Sequence, residues 1–195
     1  YPGSSPDLVF QQGALAFLKK DYSLAKKLFR EAARRASETT AENALFNENL
    51  AALNANDASG AAALIKEAAG CSRLRESILF EQAHYAAKRM APQAAELLAN
   101  FITLAETPAL KTQARLDQVE VALNLNPPDL ETVQAILPLL EKEQLSPEQT
   151  MQLARLNILE AESRQEWPNA IQSCRRAIAL DSEGKQADML YLKLG

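Results

Sequence analysis

The sequence predicts an all-α fold, a solenoid of about five antiparallel helix pairs closed by a C-terminal capping helix, and three observations carry that prediction. First, five stretches share one spacing, a small or apolar residue followed by apolar or small residues four and seven positions on. They are Ala25-Phe29-Ala32, Ala61-Ile65-Ala68, Ala94-Leu98-Phe101, Val133-Leu137-Leu140 and Ala170-Cys174-Ala177, and their first members lie 36, 33, 39 and 37 residues apart. A period in the mid-thirties with helical spacing inside each unit marks stacked helix pairs. Second, the chain has only six glycines, alanine recurs throughout, and β-branched residues do not run together, which favours helix over sheet. Third, helix start and stop signals punctuate the chain at the same interval.

The first pair covers about 6–36. Phe10, Ala14, Phe17 and Leu18 form one stripe of its first helix. Asp21 is the N-cap of its second, whose stripe is Leu24, Ala25, Leu28, Phe29 and Ala32. The second pair covers about 39–70. Thr39 with Glu42 has capping-box spacing, Asp57 caps the next helix, and Gly70 suits a left-handed residue that ends it.

The third pair, about 72–105, places Pro92 in the first turn of its second helix, where the missing N–H is not needed. Thr107-Pro108 opens the fourth pair, about 108–143. The turn Asn124-Leu125-Asn126-Pro127-Pro128 is longer and stiffer than its counterparts, and Pro138 removes a backbone hydrogen bond and should kink the helix near 134–138. The fifth pair, about 146–181, starts with Ser146-Pro147-Glu148-Gln149, an N-cap, a first-turn proline and a capping-box glutamine, and Pro168 repeats the proline. The last helix, about 184–194, carries Ala187, Leu190, Tyr191 and Leu194 on one side and would cover the end of the stack, or begin a sixth unit.

These 195 residues carry a net charge of −4, and the isoelectric point near 5.2 disfavours nucleic acid, which needs a strong basic field. The charge is uneven: residues 1–40 hold seven Lys/Arg against four Asp/Glu, whereas 106–166 hold five against eleven. Solvated faces are the plainer reading of both; a basic helix face of Lys26, Lys27, Arg30, Arg34 and Arg35 is also a place for an acidic partner. No stretch approaches the ~18 apolar residues of a membrane span, so direct membrane insertion is not expected. The opening Tyr1-Pro2-Gly3-Ser4-Ser5-Pro6 lacks an initiating Met, which suggests a processed protein or a piece of a larger one. Cys71 and Cys174 fall in the second and fifth units, too far apart for a disulfide in such a stack, and are expected as structural or surface thiols.

No constellation for chemistry stands out. His84 is the only histidine and has no Cys/His cluster around it, so it is expected as a partly exposed groove or surface residue. Phosphate-cradling Gly-rich loops and the strand-to-helix nucleophile elbow are absent. Glu141 and Glu143, like Glu160 and Glu162, point in different directions on a helix and are expected as solubilising surface carboxylates. The expectation is a protein that is not an enzyme and takes no cofactor or metal.

The chain resembles the tetratricopeptide repeat (TPR) family. Gly13, Tyr22, Ala25, Phe29 and Ala32 match its pattern in the first unit; Ala161, Trp167, Ala170, Cys174, Ala177 and Asp181 match in the fifth. Gly13 would let the facing helix approach, and Tyr22 and Trp167 would fill the gap between a pair's helices. The second unit has Asn49 in place of the Gly and Ala58 in place of the aromatic. The third has Gln82 and Ala91, though Tyr85 fits; the fourth has Val121 for Gly and Val133 for Ala.

The resemblance implies a right-handed superhelix whose concave groove is lined by the first helix of each pair. By repeat position its lining is Phe10, Ala14 and Phe17; Asn43, Phe46, Leu50 and Leu53; Leu79 and Ala83; Arg115, Gln118 and Ala122; and Gln152, Arg155 and Leu159. Some members grip a C-terminal carboxylate with a Lys and two Asn. Those positions here hold Phe10, Ala14 and Asn47, so that clamp is not expected. The apolar row Phe10, Phe17, Phe46, Leu50 and Leu53 fits two readings: packing against its own neighbours, as helical apolar stripes ordinarily do, or a slot for a peptide. The function expected is a scaffold that binds a partner protein or peptide in the groove. A homo-oligomerising module, or a helical accessory domain of a larger protein, is the alternative.

Overall fold

The computed structural model describes residues 4–180, and among these every regular element is helical. The helices are α1 (Pro6–Leu18), α2 (Tyr22–Arg35), α3 (Glu38–Asn54), α4 (Ala58–Glu67), α5 (Ser72–Lys88), α6 (Ala94–Leu104), α7 (Pro108–Leu123), α8 (Leu130–Leu140), α9 (Pro147–Ser163) and α10 (Trp167–Leu180), with a single 3-10 turn at Ala68–Gly70. The capping helix expected at about 184–194 lies outside the described residues. The chain divides into two compact bodies between Tyr85 and Ala86.

In the N-terminal body α1 packs on α2, α2 on α3 and α3 on α4, and α1 also touches α3. Val9, Ala16, Ala25, Leu28, Phe29, Ala32, Ala44 and Ala51 form one core cluster. Leu64, Ala68, Leu74 and Ile78 form another, with Leu45, Phe46, Ile65 and Cys71 at its edge. In the C-terminal body α6 packs on α7, α7 on α8 and α9, α8 on α9, and α9 on α10. The main core there is Leu116, Val119, Ala122, Leu123, Val133, Leu137, Leu140, Leu153 and Leu156.

The recurrent stripe is the buried face of α2, α4, α6, α8 and α10: every member is buried except Ile65, whose place inside is taken by its neighbour Leu64. Gly13 is needed where it stands, because a Cβ there would sit 2.9 Å from the Phe29 ring, itself buried and edge-on to Phe10 at 5.4 Å. Tyr22 packs edge-on to Phe17 at 5.3 Å.

One turn recurs that the residues alone did not announce. After α1, Lys20 N–H donates to Phe17 O (2.9 Å) and Asp21 N–H to Ala16 O (2.9 Å), with Lys20 left-handed at φ 62°. This is the Schellman arrangement, which satisfies carbonyls that a helix end leaves open. The same pair of bonds follows α3 (Asn56 to Leu53, Asp57 to Ala52), α5 (Met90 to Ala87, Ala91 to Ala86) and α9 (Gln165 to Glu162, Glu166 to Ala161). Asn56, Met90 and Gln165 are likewise left-handed, at φ 57°, 49° and 60°. The residue closing the turn then starts the next helix: Asp21 accepts from Leu24 N–H and Asp57 from Gly60 N–H. After α7 the longer proline turn intervenes, holding a cis Asn126–Pro127 bond, but Asp129 still bonds back to Ala122 O and caps α8 through Thr132 N–H.

Several expectations need correction. Thr39 and Glu42 form no capping box: α3 begins at Glu38 after Ser37, and the Glu42 carboxylate instead lies 3.2 Å from Cys71 Sγ. Gly70 is not left-handed; it ends the 3-10 turn with open space around it. Pro92 precedes α6, which starts at Ala94. Leu18 and Leu24 face water, because the face of α1 that meets α2 is centred on Val9, Gly13 and Ala16 and that of α2 on Ala25, Leu28 and Phe29. Trp167 is 59 % exposed and fills no gap. Pro138 lies inside α8, which runs two residues beyond it: the i→i−4 bond it cannot make belongs to the last turn, where few follow. The Ser146/Gln149 capping box is formed.

Candidate functional site

In the N-terminal body several charged side chains pair internally. Lys26 meets Asp57 at 2.5 Å, and Arg30 lies 2.8 Å from Glu48 and 2.5 Å from Glu67. Arg35 pairs with Glu31 and reaches the Ser4 carbonyl. Of the basic helix face, Lys26 and Arg30 are thus paired across to Asp57, Glu48 and Glu67 and Arg35 within its own helix, while Lys27 and Arg34 are exposed. Burial raises the Glu48 carboxyl above the ordinary carboxylate value, outweighing the attraction of Arg30, whose charge is shared with Glu67. Burial opposes the charge on Arg30, but the hydrogen bond to Glu67 and the Glu48 charge prevail and raise it. The hydrogen bond from Lys26, then those from Gly60 N–H and the Ser59 hydroxyl, lower Asp57 from 3.8 to about 2.

Two of the departures from the repeat pattern in this body, Asn49 and Gln82, meet each other. Gln82 Nε2 donates to Asn49 Oδ1 and to the Ala61 carbonyl, both at 2.9 Å. Asn49 is fully buried: its side-chain oxygen is satisfied by Gln82, while its Nδ2 has no hydrogen-bond partner.

The C-terminal body carries a continuous polar row where α7 and α9 meet. Gln113 Nε2 donates to buried Asp117 (3.1 Å) and to Gln152 (3.0 Å), while Gln149 donates back to Gln113 (3.3 Å). Gln152 and Lys88 both reach Glu120 at 3.3 Å. At the end of the row the Thr112 hydroxyl and the Arg115 guanidinium both hold the carboxylate of Glu143, from the loop between α8 and α9. Glu143 is therefore half-buried and paired, not a solvated carboxylate as its sequence position implied.

Two open cavities flank this clasp. One, of about 660 Å³, is lined by Ala105, Glu106, Pro108, Ala109, Lys111, Thr112, Arg115, Glu143, Gln144 and Gln149. The other, of about 520 Å³, has Leu140, Leu145, Leu153 and Ala154 beside Glu141, Glu143, Thr150, Asn157, Ser173 and Arg176.

Of the residues expected to line a groove, Phe10, Phe17, Phe46, Leu50, Leu53 and Leu79 are half-buried and Asn43 is exposed. Phe10 and Phe17 pack on the first core cluster and Phe46 on the second, so these rings stand at the rim of the core with part of each in water. Asn47 donates to the Asn43 carbonyl at 2.8 Å. Arg115, Gln118, Gln152 and Arg155 are half-buried on α7 and α9, and of these the structure brings Arg115 to a cavity and Gln152 into the polar row. The residues alone did not single out Gln113 and Thr112, and gave Gln149 only a capping role; the i,i+4 pair Gln113–Asp117 was the signal that could have found the row.

Elsewhere, His84 stacks on Phe80 with ring centres 5.4 Å apart. Cys71 and Cys174 are free thiols, the second buried. Among the described residues no group of three or more His, Cys, Asp or Glu is placed to hold a metal ion, and no helix is long and apolar enough to cross a membrane. No family model, curated protein or solved structure matches the chain.

Proposed function

We propose that this chain is a TPR-like repeat scaffold that holds a partner protein or peptide against the first helices of its pairs and carries out no chemistry itself. One observation carries the reading: the same left-handed turn closes α1, α3, α5 and α9, and alternate helices touch, α1 with α3 and α7 with α9. Helix pairs joined by one repeated turn, with first helices side by side, support a solenoid reading, and solenoids present extended surfaces. Exposed Asn43 and the half-exposed residues along those helices, among them Leu50, Gln118 and Arg155, supply mixed apolar and hydrogen-bonding contact. The experiment is capture of partners by the wild type and by Asn43→Lys, Leu50→Asp and Gln118→Lys, each verified as helical and cooperatively folded. At least one variant should lose tenfold or more of a captured partner; equal capture by all of them removes the reading.

A second reading, self-assembly, is favoured by the outer face of α1, where Leu8, Leu15 and Leu18 are 45, 52 and 78 % exposed. Light scattering over a concentration series separates the two. Association abolished by Leu15→Glu and Leu18→Glu supports assembly, and a strict monomer excludes it.

A further inference from the structure

The water-facing side of α1 is apolar, and its spacing is symmetric. On one side this helix buries Val9, Gly13 and Ala16; on another Phe10, Ala14 and Phe17 pack on the core. The remaining side is exposed, yet it carries Leu8, Gln11, Leu15 and Leu18, with exposed Asp7 and Lys19 just outside its two ends. Among the described residues of the N-terminal body, only these leucines and Leu24, in the first turn of α2, are exposed large apolar side chains. A helix that is apolar all round belongs in an interior. The intervals along the exposed stripe are three, four and three residues, the seam of a two-stranded coiled coil, so the cover it fits is another helix.

The symmetry of the stripe selects that helix. Its intervals read the same in both directions about residue 13. A copy of α1 turned end for end meets the stripe in register, with Leu8 facing Leu18 of the second copy and Gln11 facing its Leu15. Asp7 and Lys19 obey the same symmetry, so the acid at the start of one helix comes level with the base at the end of the other. Antiparallel pairing keeps like charges about 18 Å apart along the axis and opposes the two helix dipoles. Parallel pairing would set Asp7 beside Asp7 and Lys19 beside Lys19.

We infer that α1 pairs with α1 of a second copy of this chain, antiparallel about a two-fold axis level with Gly13, to make a homodimer. The inference deepens the self-assembly reading and rests on it; the scaffold reading is independent of it. The seam spans one helix of 13 residues in each copy, which gives a small interface and a reversible dimer.

Sedimentation equilibrium of the full chain from about 1 µM to about 500 µM should show reversible dimerisation. Leu15→Glu and Leu18→Glu, both at exposed positions, should each weaken it at least tenfold while the protein stays helical. Cross-linking reads the orientation. Gln11→Cys protein and size-tagged Leu15→Cys protein are mixed at the highest concentration and oxidised in a glutathione buffer, with the wild type as control for Cys71 and Cys174. The antiparallel seam sets position 11 opposite position 15, so the mixed disulfide should exceed either homodimeric one at least fivefold. Homodimeric links in excess overturn the antiparallel pairing, and dimerisation unmoved by both Glu variants assigns assembly to another surface; in either case self-assembly stands without this interface. A monomer at every concentration overturns the inference and the self-assembly reading together, and binding of that monomer to phosphatidylglycerol vesicles through the same leucines would give the face to lipid instead.

Discussion

At the scale of single residues, fit and polar satisfaction decide more than identity. Gly13→Ala gains roughly 1 kcal/mol of helix propensity but drives a methyl group to 2.9 Å from a ring that is itself packed. Overpacking of that kind costs about 1–3 kcal/mol, so the variant should unfold at lower urea with an unchanged slope. Gln82→Ala removes the donor to a fully buried oxygen of Asn49, and leaving it unpaired should cost about 1–3 kcal/mol. Asn49→Ala/Gln82→Ala should lose less than the sum of the single changes, since the second deletion removes the group the first one stranded; strict additivity would show that the pair is not coupled. Asn49 and Gln82 each look like a plain mismatch to the repeat, and only their proximity gives either a reason.

At the scale of elements, helix ends are where the chain repeats itself most faithfully. Lys20, Asn56, Met90 and Gln165 hold a left-handed backbone that glycine adopts without a side-chain penalty. Each change to Gly at these positions should stabilise the fold by about 0.5–1 kcal/mol, least at Asn56, because Asn tolerates the conformation best. Gly at the preceding helical-region position, as in Lys19→Gly, should destabilise; thermal melts of the five variants check the contrast. Helix positions were legible in the residues because apolar spacing and Asp or Pro starts are local signals: α1, α2, α7, α9 and α10 begin where Pro6, Asp21, Pro108, Pro147 and Trp167 place them. The turns were not, since their bonds join backbone to backbone. Nor was the α7–α9 row, whose partners are 36 and 39 residues apart for Gln113 with Gln149 and Gln152.

At the scale of the whole molecule, stability as a function of pH carries two opposing contributions from the N-terminal body. The carboxyl of Asp57 is held low in the fold, so its contribution is present above the ordinary Asp range and is lost as pH falls toward about 2. The raised carboxyl of Glu48 works the other way: its contribution is full below the ordinary Glu range and is lost as pH rises through the folded value. Melting temperatures measured from acid to neutral pH should show Asp57→Asn flattening the acid limb, and Glu48→Gln gaining on the wild type as pH rises. A Glu48→Gln difference that does not vary with pH would contradict the burial of that charge. The helical class was plain from the sequence, because it is the sum of many weak local preferences; the clasp at Glu143 was not, because a loop carboxylate and a helical arginine 28 residues apart share no local signature. The left-handed turns have one more consequence. Their geometry is enforced by main-chain atoms common to all amino acids, and the four side chains at the bend, a lysine, an asparagine, a methionine and a glutamine, project into solvent. The letters at these bends can therefore differ from one turn to the next while the bonds that shape the turn stay the same.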